Sequence, residues 1–550
     1  MQESVPNVSA VQATFVATLV DEWHRLGLRD AVICPGSRST PLSVAFARHG
    51  GIAVHVRIDE RSAAFFALGR ALRTRRPVAI VVTSGTAAAE VHAAVAEADL
   101  ARVALLVLTA DRPPELHGVG APQTIDQQRL YGAKVRLYEE PGVARLDASH
   151  SWRPLARRLW RHAAGETNQP GPVHLNAAFV EPLLSTPLGL PASVEDVVEA
   201  TASPWPPAPL DVGGQRVICV VGAGTPHEMI QAAHDAHWVV LGDATTAGSL
   251  AYADPLVRHD EIWAALRPDV IVRVGGVPAS KFLAQRLATS GVAVIALEGA
   301  RPVADPDAVV TRRVTGTLDA SLAAHQGDAA FAAMWREASE SLGRELEEWC
   351  DGHFDEILVA RLVVRAANAA RCDLVVGSSM PIRDVEWWGE TREGAVHANR
   401  GANGIDGVVS TFLGVAQGSS AIGLVGDVTM LHDVSALVEN PGESTRAVLV
   451  VSDNAGGGIF SFLAQARQLP PAQFDELFAT PRRHDLAELA RAFGHHGETV
   501  TSASELRDAL DDGLQRRGLS VVVARVPDRA HNVARHDEMN ALVARWWSRR

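Results

Sequence analysis

The sequence predicts an α/β protein of several domains, each with a mostly parallel sheet flanked by helices. Runs of Val, Ile and Leu alternate with segments of helical spacing, as in "PVAIVVTSGTAAAEVHAAVAEA", which is typical of parallel strands covered on both faces. The chain has 550 residues, too many for one hydrophobic core. A Pro-rich stretch over 200–214, "ATASPWPPAPLDVGG", has the composition of a linker.

The first segment alternates helices and strands in a regular order. Phe15 to Leu26 has helical spacing, and "DAVICPGSRSTP" is a strand that ends in a loop. "GIAVHVRI" is a strand, and "DERSAAFFALGRAL" is a helix with an acidic cap. "VALLVLTADRPP" is a further strand and loop. Ligands of such sheets bind beyond the carboxyl ends of the strands, so the loops that follow these strands are candidate site loops.

Two more α/β segments follow the linker. The middle segment of the chain begins with "RVICVVGAGTPHEMIQAA" and runs to about Thr317. Its "GAGTPH" resembles a dinucleotide loop, but His227 stands where a third glycine is needed, so a simple strand-to-helix turn is the preferred interpretation. A charged helix, "MWREASESLGRELEEW", leads to the third segment from about Phe354. There "NAARCDLVVGSSMPIRD" echoes "LGLRDAVICPGSRSTP" of the first segment, which indicates two related outer domains.

Composition excludes several classes of protein. The net charge of −13 argues against a nucleic-acid binder, and four scattered cysteines predict neither disulfides nor a zinc site. No signal peptide or integral membrane segment is predicted, so we expect a cytoplasmic protein. The C-terminal "NALVARWWSRR" is compatible with a membrane-surface helix, but a helix docked within the fold is preferred.

One βαβ unit carries polar residues at both of its strand ends. In "GLVGDVTMLHDVSALVENPGESTRAVLVVSDNAGGGIF", Asp427 follows one strand and Asn454 follows the next. A carboxylate, an amide oxygen and a carbonyl of the glycine run are hard ligands that suit Mg²⁺. The glycines allow the backbone to approach a diphosphate closely. The alternative is an ordinary helix cap followed by a glycine-rich turn.

The stretch "GDV…DNAGGG" resembles the cofactor motif of thiamine diphosphate-dependent enzymes. The resemblance implies a metal, Mg²⁺ or Mn²⁺, bound by Asp427, Asn454 and the carbonyl of Gly456. Val428 and Ala455 depart from the usual motif without removing a ligand. The implied cofactor-binding residues beyond the metal ligands are Glu60, Ile405, Thr429, Gly457 and Ile459.

Glu60 and Ile405 carry the catalytic part of the resemblance. In the family, a carboxylate hydrogen-bonds the aminopyrimidine ring and promotes loss of the thiazolium C2 proton, and "VRIDERSAAFFALG" places Glu60 at that position. Ile405 in "NRGANGIDG" corresponds to the apolar residue that props the bent cofactor. The alternatives are a helix-capping acid for Glu60 and core packing for Ile405.

Several loops narrow the resemblance to the 2-succinyl-5-enolpyruvyl-6-hydroxy-3-cyclohexene-1-carboxylate synthase family of menaquinone biosynthesis. They include "CPGSRSTPL", "TSGTAAAE", "LTADRPPEL", "GAPQTIDQ" and "GSSMPIRD", and the resemblance covers the outer segments more strongly than the middle one. It implies decarboxylation of 2-oxoglutarate and 1,4-addition of the succinyl carbanion to isochorismate. The alternatives are another thiamine diphosphate-dependent carboligase or decarboxylase, such as an acetolactate synthase relative, and a cofactor-binding regulatory protein.

The strand-end loops contain four arginines: Arg38, Arg112, Arg383 and Arg400. Because Arg binds carboxylates in bidentate fashion, these residues indicate substrates that carry several carboxylates. Any one of these arginines alone fits a solvated surface residue. By resemblance, one set of residues faces isochorismate: Ser37, Arg38, Arg112, Gln123 and Lys281. A second set lies on the succinyl side: Ser379, Arg383 and Arg400, with Ile459 and Phe460 beside the cofactor. Pro122 and Phe282 depart from residues frequent in the family.

The resemblance also implies a three-domain thiamine diphosphate-binding fold and an assembly. The predicted domains are pyrimidine-binding (1–188), central with linkers (189–345) and diphosphate-binding (346–550). In the family, each active site joins the first domain of one subunit to the third domain of its partner. A homodimer is therefore the predicted minimal active unit, and a homotetramer is the predicted assembly.

Overall fold

Three separate sheets, each with only parallel pairings among the strands described, form the framework of the chain. The computed structural model describes residues 7–166, 169–193, 206–222, 224–277, 280–298, 303 and 305–550. The prediction of an α/β fold with parallel sheets is confirmed. The first six residues, residues 200–205 of the predicted linker and Ala223 of the predicted turn lie outside the described residues.

The first sheet has six strands, and helices precede or connect them. The strands are β1 (Asp30–Ile33), β2 (Ala53–Val56), β3 (Val78–Val82), β4 (Leu105–Asp111), β5 (Tyr138–Glu139) and β6 (Pro172–Ala178). The helices are α1 (Val8–Leu26), α2 (Thr40–His49), α3 (Glu60–Thr74), α4 (Thr86–Glu90), α5 (His92–Ala101) and α6 (Trp152–Ala164). The strand order is β2-β1-β3-β4-β6-β5.

The residues of this segment explain its elements. Strands β1, β3 and β4 are buried along their whole length, which is why they read as continuous apolar runs. Helix α1 starts earlier than predicted, because the Asn7 side chain caps it by accepting the Ser9 N–H at 3.2 Å. Its end at Gly27 has a left-handed backbone (φ 115°), a conformation that favours glycine.

The second sheet has five strands in the order β11-β10-β9-β7-β8. They are β7 (Val217–Val221), β8 (Val239–Gly242), β9 (Val270–Val274), β10 (Ala293–Glu298) and β11 (Arg312–Thr315). The helices are α7 (His227–Asp235), α8 (Ala253–Arg258), α9 (Asp260–Ala265), α10 (Lys281–Thr289) and α11 (Ala329–Cys350). The "GAGTPH" segment joins β7 to α7, as the strand-to-helix interpretation predicts.

The third sheet repeats the strand order of the first. Its strands are β12 (Asp373–Val376), β13 (Val396–His397), β14 (Ser420–Gly426), β15 (Arg446–Asp453), β16 (His496–Val500) and β17 (Gly518–Arg525). Their order is β13-β12-β14-β15-β17-β16. The helices are α12 (Glu356–Ala370), α13 (Met380–Trp388), α14 (Val408–Ala416), α15 (Asp427–His432), α16 (Gln465–Gln468), α17 (Pro471–Phe474), α18 (Leu486–Ala492), α19 (Ala503–Gln515) and α20 (Arg529–Ser548).

A side-chain pair recurs with the repeated strand order. His55 on β2 lies 2.8 Å from Asp30 on β1, and His397 on β13 lies 2.9 Å from Asp373 on β12. Both pairs join the first strand of a sheet to the edge strand beside it. The sequence similarity between the first and third segments therefore reflects a common topology.

The chain divides into two compact units. The first comprises 1–199, 399–417 and 432–441, and the second comprises 200–398, 418–431 and 442–550. Helix α14 joins the first unit by packing closely on α3, where a Cβ on Gly414 would lie only 2.2 Å from the Phe66 carbonyl oxygen. Each of the three predicted domains, 1–188, 189–345 and 346–550, contains one sheet. Residues 399–417 and 432–441 nevertheless belong to the first unit, so the domain boundaries stay a prediction.

The C-terminal helix docks within the second unit, as preferred from the sequence. Trp546 is buried and donates from Nε1 to Ser341 Oγ on α11 at 3.1 Å. Arg549 and Arg550 pair with Glu345 and Glu337 of the same helix. None of the described helices is long and apolar enough to span a bilayer. The four cysteines are free and buried.

Candidate active site

Asp427 and the glycine turn meet at the carboxyl edge of the third sheet. Strands β14 and β15 are neighbours, with Gly426 paired to Ser452 near their ends. Asp427 directly follows β14, and Asn454 directly follows β15. The Asp427 carboxylate accepts the Val428 N–H at 2.8 Å and a further N–H from Gly456. The structure thus brings the predicted metal ligands to one edge of one unit.

Two buried oxygens at this edge have no hydrogen-bond partner among the described residues: Oδ2 of Asp427 and Oδ1 of Asn454. Burial raises the pKa of Asp427 to about 7, and the nearby Asp453 charge adds to the effect. Other buried oxygens of the described residues are also unpaired, but these two lie together at the ends of neighbouring strands. A divalent cation would satisfy both oxygens and favour the ionised form of Asp427, so these residues fit the metal that the sequence predicts.

The donor set is distinct from a typical side-chain metal cluster. No group of three or more His, Cys, Asp and Glu side chains is placed to hold a metal in the described parts of the chain. Here the oxygens would come from one carboxylate, one amide and the backbone of Gly456. Such a set leaves positions open for phosphate oxygens, which Mg²⁺ favours.

The glycine turn after Asn454 is fixed by backbone contacts. Gly456 has φ +148°, and a Cβ there would lie 2.4 Å from the Ala479 carbonyl oxygen. That same oxygen accepts the Gly457 N–H at 2.7 Å. Ile459 and Phe460 belong to the 3₁₀ turn that follows, over Gly458–Phe462. Thr429 is buried in α15.

Two of the predicted substrate residues lie at the start of helix α13. Ser379 precedes it with φ 77°, a strained value for a residue other than glycine. Arg383, one turn later, donates to the Ser379 carbonyl oxygen. Behind the helix, Asp384 Oδ1 lies 3.0 Å from His536 Nε2 of α20. Lys281 is exposed at the start of α10.

Phe282 contributes to an aromatic clamp on a cation. Its ring centre lies 4.2 Å from the guanidinium carbon of Arg258, and the Trp387 ring lies 4.1 Å from the same carbon. Arg258 is also paired with Asp254. Phe282, the residue after Lys281, therefore stacks on Arg258 of helix α8.

In the first unit, Glu60 faces a cleft of about 610 Å³. Glu60 is the first residue of α3, and Asp59 caps the helix by accepting the Ser62 N–H at 2.9 Å. Burial raises the pKa of the Glu60 carboxyl, and the charges of Asp59 and Glu90 raise it further. The cleft is lined by Pro35, Gly36, Asp59, Glu60, Arg61, Thr83, Thr86, Ala87, Glu90 and Gln123.

Two predicted substrate arginines lie close together near this cleft. Arg38 is buried and donates to the Phe179 carbonyl oxygen at 2.9 Å and to Glu181 at 3.2 Å. Arg112 donates to Ser84 Oγ. Burial and the charge of Arg38 lower the pKa of Arg112. Ser37 is exposed in the loop before Arg38, so polar donors converge on this side of the first unit.

The loop with Arg400 and Ile405 also lies in the first unit, where a buried carboxylate holds it. Glu97 on α5 accepts the Gly401 N–H and the Ala402 N–H, each at 2.6 Å. The sequence gives no signal for Glu97, because its partners are 304 and 305 residues away. Glu356, which contacts Asn454, was missed for the same reason.

Two segments of the chain match known protein families. The thiamine pyrophosphate enzyme N-terminal TPP binding domain matches residues 13–130, and the C-terminal TPP binding domain matches residues 395–524. The first match contains Glu60, and the second contains Asp427 and Asn454. The carboxyl ends of strands β14 and β15 thus lie within a segment that is similar to known TPP binding domains.

Curated relatives extend the similarity to nearly the whole chain. The 2-succinyl-5-enolpyruvyl-6-hydroxy-3-cyclohexene-1-carboxylate synthase of Saccharopolyspora erythraea is 38% identical, over 98% of this chain and 99% of the relative. The synthase of the same description from Thermobifida fusca is 40% identical over 90% of this chain and 93% of the relative. That of Geobacillus kaustophilus is 36% identical over 97% and 98%.

Proposed function

Because the chain belongs to the 2-succinyl-5-enolpyruvyl-6-hydroxy-3-cyclohexene-1-carboxylate synthase family of thiamine pyrophosphate enzymes, we propose that it catalyses the reaction in that name. The substrates are 2-oxoglutarate, which loses CO₂, and isochorismate, which accepts the remaining succinyl carbanion by 1,4-addition. The observation that carries the proposal is the pair of unpaired buried oxygens on Asp427 and Asn454, in a chain similar over its length to these synthases.

Different residues of the chain bind the metal and the cofactor. Asp427, Asn454 and the Gly456 carbonyl hold Mg²⁺ or Mn²⁺, and Thr429, Gly457 and Ile459 line the cofactor. When bound, thiamine diphosphate supplies the electron sink for decarboxylation. Ile405 supports the cofactor through apolar contact. This allocation of roles is supported by the donor chemistry at the β14 and β15 ends.

Glu60 is the residue assigned to proton transfer. Its carboxyl stands at the N-terminus of α3 and faces the cleft of the first unit. We assign it the hydrogen bond to the aminopyrimidine ring that promotes loss of the C2 proton. Burial raises the pKa of the Glu60 carboxyl, and a carboxyl in a cleft with a raised pKa is a candidate for proton transfer.

The arginines bind the carboxylates of the substrates. Arg38 and Arg112, with Ser37, Gln123 and Lys281, are assigned to isochorismate. Arg383 and Arg400, with Ser379 and Phe460, are assigned to the succinyl side. Charge-assisted hydrogen bonds of this kind are about twice as strong as neutral ones. Such bonds allow a chain of net charge −13 to bind dianionic substrates.

Assembly and location belong to the same proposal. The active unit is a homodimer in which one subunit supplies Glu60 and the other supplies the metal ligands, and a homotetramer is the expected form. The cytoplasmic location stays a prediction.

Product analysis tests the proposed reaction. The purified protein is incubated with thiamine diphosphate, Mg²⁺, 2-oxoglutarate and isochorismate, and products are identified by mass spectrometry alongside measured CO₂. We expect one adduct of isochorismate with a succinyl group, and none with the Asp427→Ala variant. In a parallel incubation with pyruvate in place of 2-oxoglutarate, turnover of pyruvate without an isochorismate adduct would instead establish the acetolactate synthase-like alternative.

A further inference from the structure

The Asn454 amide has two very different surroundings. Its Nδ2 donates to Oε1 of Glu356 at 2.7 Å, and both side chains are buried. Its Oδ1, on the other side of the same amide, has no hydrogen-bond partner among the described residues. The Asp427 Oδ2 is likewise buried and unpaired. One face of Asn454 is therefore satisfied by protein, and the other is left for a cation.

The Glu356 carboxyl group accepts from the nitrogen side of the Asn454 amide. A carboxyl group keeps at least one acceptor oxygen whether it is ionised or protonated. With the amide turned over, the donor Nδ2 would point at the proposed cation, and Oδ1 would face an ionised Glu356 without a donor. The observed orientation avoids the first contact in either protonation state of Glu356 and the second when Glu356 is ionised.

The position of Glu356 is itself fixed by its helix. Glu356 is the first residue of α12, and Asp355 caps that helix by accepting the Leu358 N–H at 2.9 Å. The other oxygen of Asp355 accepts from Arg535 Nε of α20 at 2.8 Å. The start of α12 is thus tied to α20, and Glu356 is held at the edge where β15 ends.

We propose that Glu356 is a positioning residue for the metal of the thiamine diphosphate site, because it fixes the Asn454 amide with Oδ1 toward that metal. The inference rests on the proposed function, since the metal belongs to it. Groups that orient metal ligands from behind typically contribute about 10–100-fold to metal affinity or activity. The contact joins residues 98 positions apart, and Glu356 lies outside the cofactor motif.

The first test measures cofactor binding as a function of Mg²⁺ concentration by tryptophan fluorescence or calorimetry, without substrates. Glu356→Leu should raise the Mg²⁺ concentration needed for half-maximal thiamine diphosphate binding by about 10–100-fold. Glu356→Gln keeps an acceptor oxygen and should stay within a few-fold of the wild type. Equal impairment of both variants, or none in Glu356→Leu, overturns the proposal.

A pair exchange keeps the test decisive if Glu356→Leu does not fold. Asn454→Asp places a second carboxylate against Glu356 and should weaken Mg²⁺-dependent binding. Combined with Glu356→Gln, a donor again faces an acceptor, and at least part of the lost affinity should return. Additive losses in the double variant overturn the positioning role, because independent sites show no coupling.

Two further variants separate the possible causes of failure. Glu347→Gln removes a carboxylate of α11 that pairs with Arg361 and Arg365 of α12, the helix of Glu356. No hydrogen bond is described between Glu347 and Asn454. This substitution should lower thermal stability but keep the Mg²⁺ dependence. Asp427→Ala should abolish Mg²⁺-dependent binding. If it does not, the metal site of the proposed function is wrong, whereas loss in Asp427→Ala with none in Glu356→Leu rejects the positioning role alone.

Discussion

A substitution of Glu60 tests its catalytic role, because another residue is the N-cap of helix α3. Asp59, not Glu60, accepts the Ser62 N–H and caps α3. Glu60→Gln should therefore leave the helix folded while removing the group that promotes C2 deprotonation. Proton-transfer groups contribute about 10²–10⁴-fold to rate, so hydrogen–deuterium exchange at C2 of the bound cofactor should slow by a factor in that range.

The comparison variant for this prediction is Glu90→Gln, which removes a charge from the same cleft. Its effect on exchange should be much smaller, because we assign no proton transfer to Glu90. Similar slowing in both variants would indicate that only the charge of the cleft matters. Unchanged exchange in Glu60→Gln would leave Glu60 without a catalytic role.

The four arginines make a second prediction at the residue scale. Arg383→Ala and Arg400→Ala should raise the KM for 2-oxoglutarate more than that for isochorismate, and Arg38→Ala and Arg112→Ala should do the reverse. Losing a hydrogen bond to a charged group costs about 1.5–3 kcal/mol, which corresponds to about 10–150-fold. Steady-state kinetics with each substrate varied in turn measure the ratio, and equal effects on both substrates would reject the assignment.

At the scale of elements, the loop over 399–407 depends on helix α5. The two carboxylate oxygens of Glu97 each accept one backbone N–H of this loop. Glu97→Gln would place an amide donor against one of those N–H groups and leave it unpaired. These N–H groups are only partly buried, so the free energy of unfolding should fall by less than the about 1–3 kcal/mol that a fully buried unpaired donor costs. The KM for 2-oxoglutarate should rise because the loop carries Arg400.

Denaturant unfolding and kinetics check this prediction together. Glu166→Gln serves as the control, since Glu166 is an exposed carboxylate of the same unit paired with Arg161. Its effect on stability should stay within about 0.5 kcal/mol. A Glu97→Gln protein with unchanged stability and unchanged KM would show that the loop holds its shape without this anchor.

The element scale also shows what the sequence can and cannot predict. The strands and the residues that follow them were predicted because apolar runs and the polar residues after them are local patterns. Asp427 and Asn454 come to one edge because parallel neighbours end together. Glu97 and Glu356 were missed because their partners are distant in the chain, and a buried Glu in a helix looks like any other helical Glu.

Local patterns were also imprecise at element ends. Helix α1 begins at Val8, although spacing predicted a start near Phe15, because the cap at Asn7 extends it. Strand β2 ends at Val56, earlier than the apolar run "GIAVHVRI" indicates. The contact of α14 with α3 depends on Gly69 and Gly414, where the backbone of one helix meets the other, and no pattern within either helix predicts that partner.

For the whole molecule, the prediction concerns which chains share a site. Glu60 belongs to the first unit and Asp427 to the second. If a site takes Glu60 from one subunit and Asp427 from its partner, a two-fold dimer has two equivalent sites. A mixed dimer of Glu60→Gln and Asp427→Ala chains then has one site with both defects and one site with neither.

Co-expression of the two inactive variants with different affinity tags measures this directly. With random pairing, about half of the dimers are mixed and half of their sites are intact, so about a quarter of wild-type activity should return. Mixed dimers isolated through both tags should be about twice as active per site as the unsorted pool, because the homodimers of each variant contribute nothing. If both residues instead served a site within one chain, every site would keep one defect, and the doubly tagged dimers would be inactive.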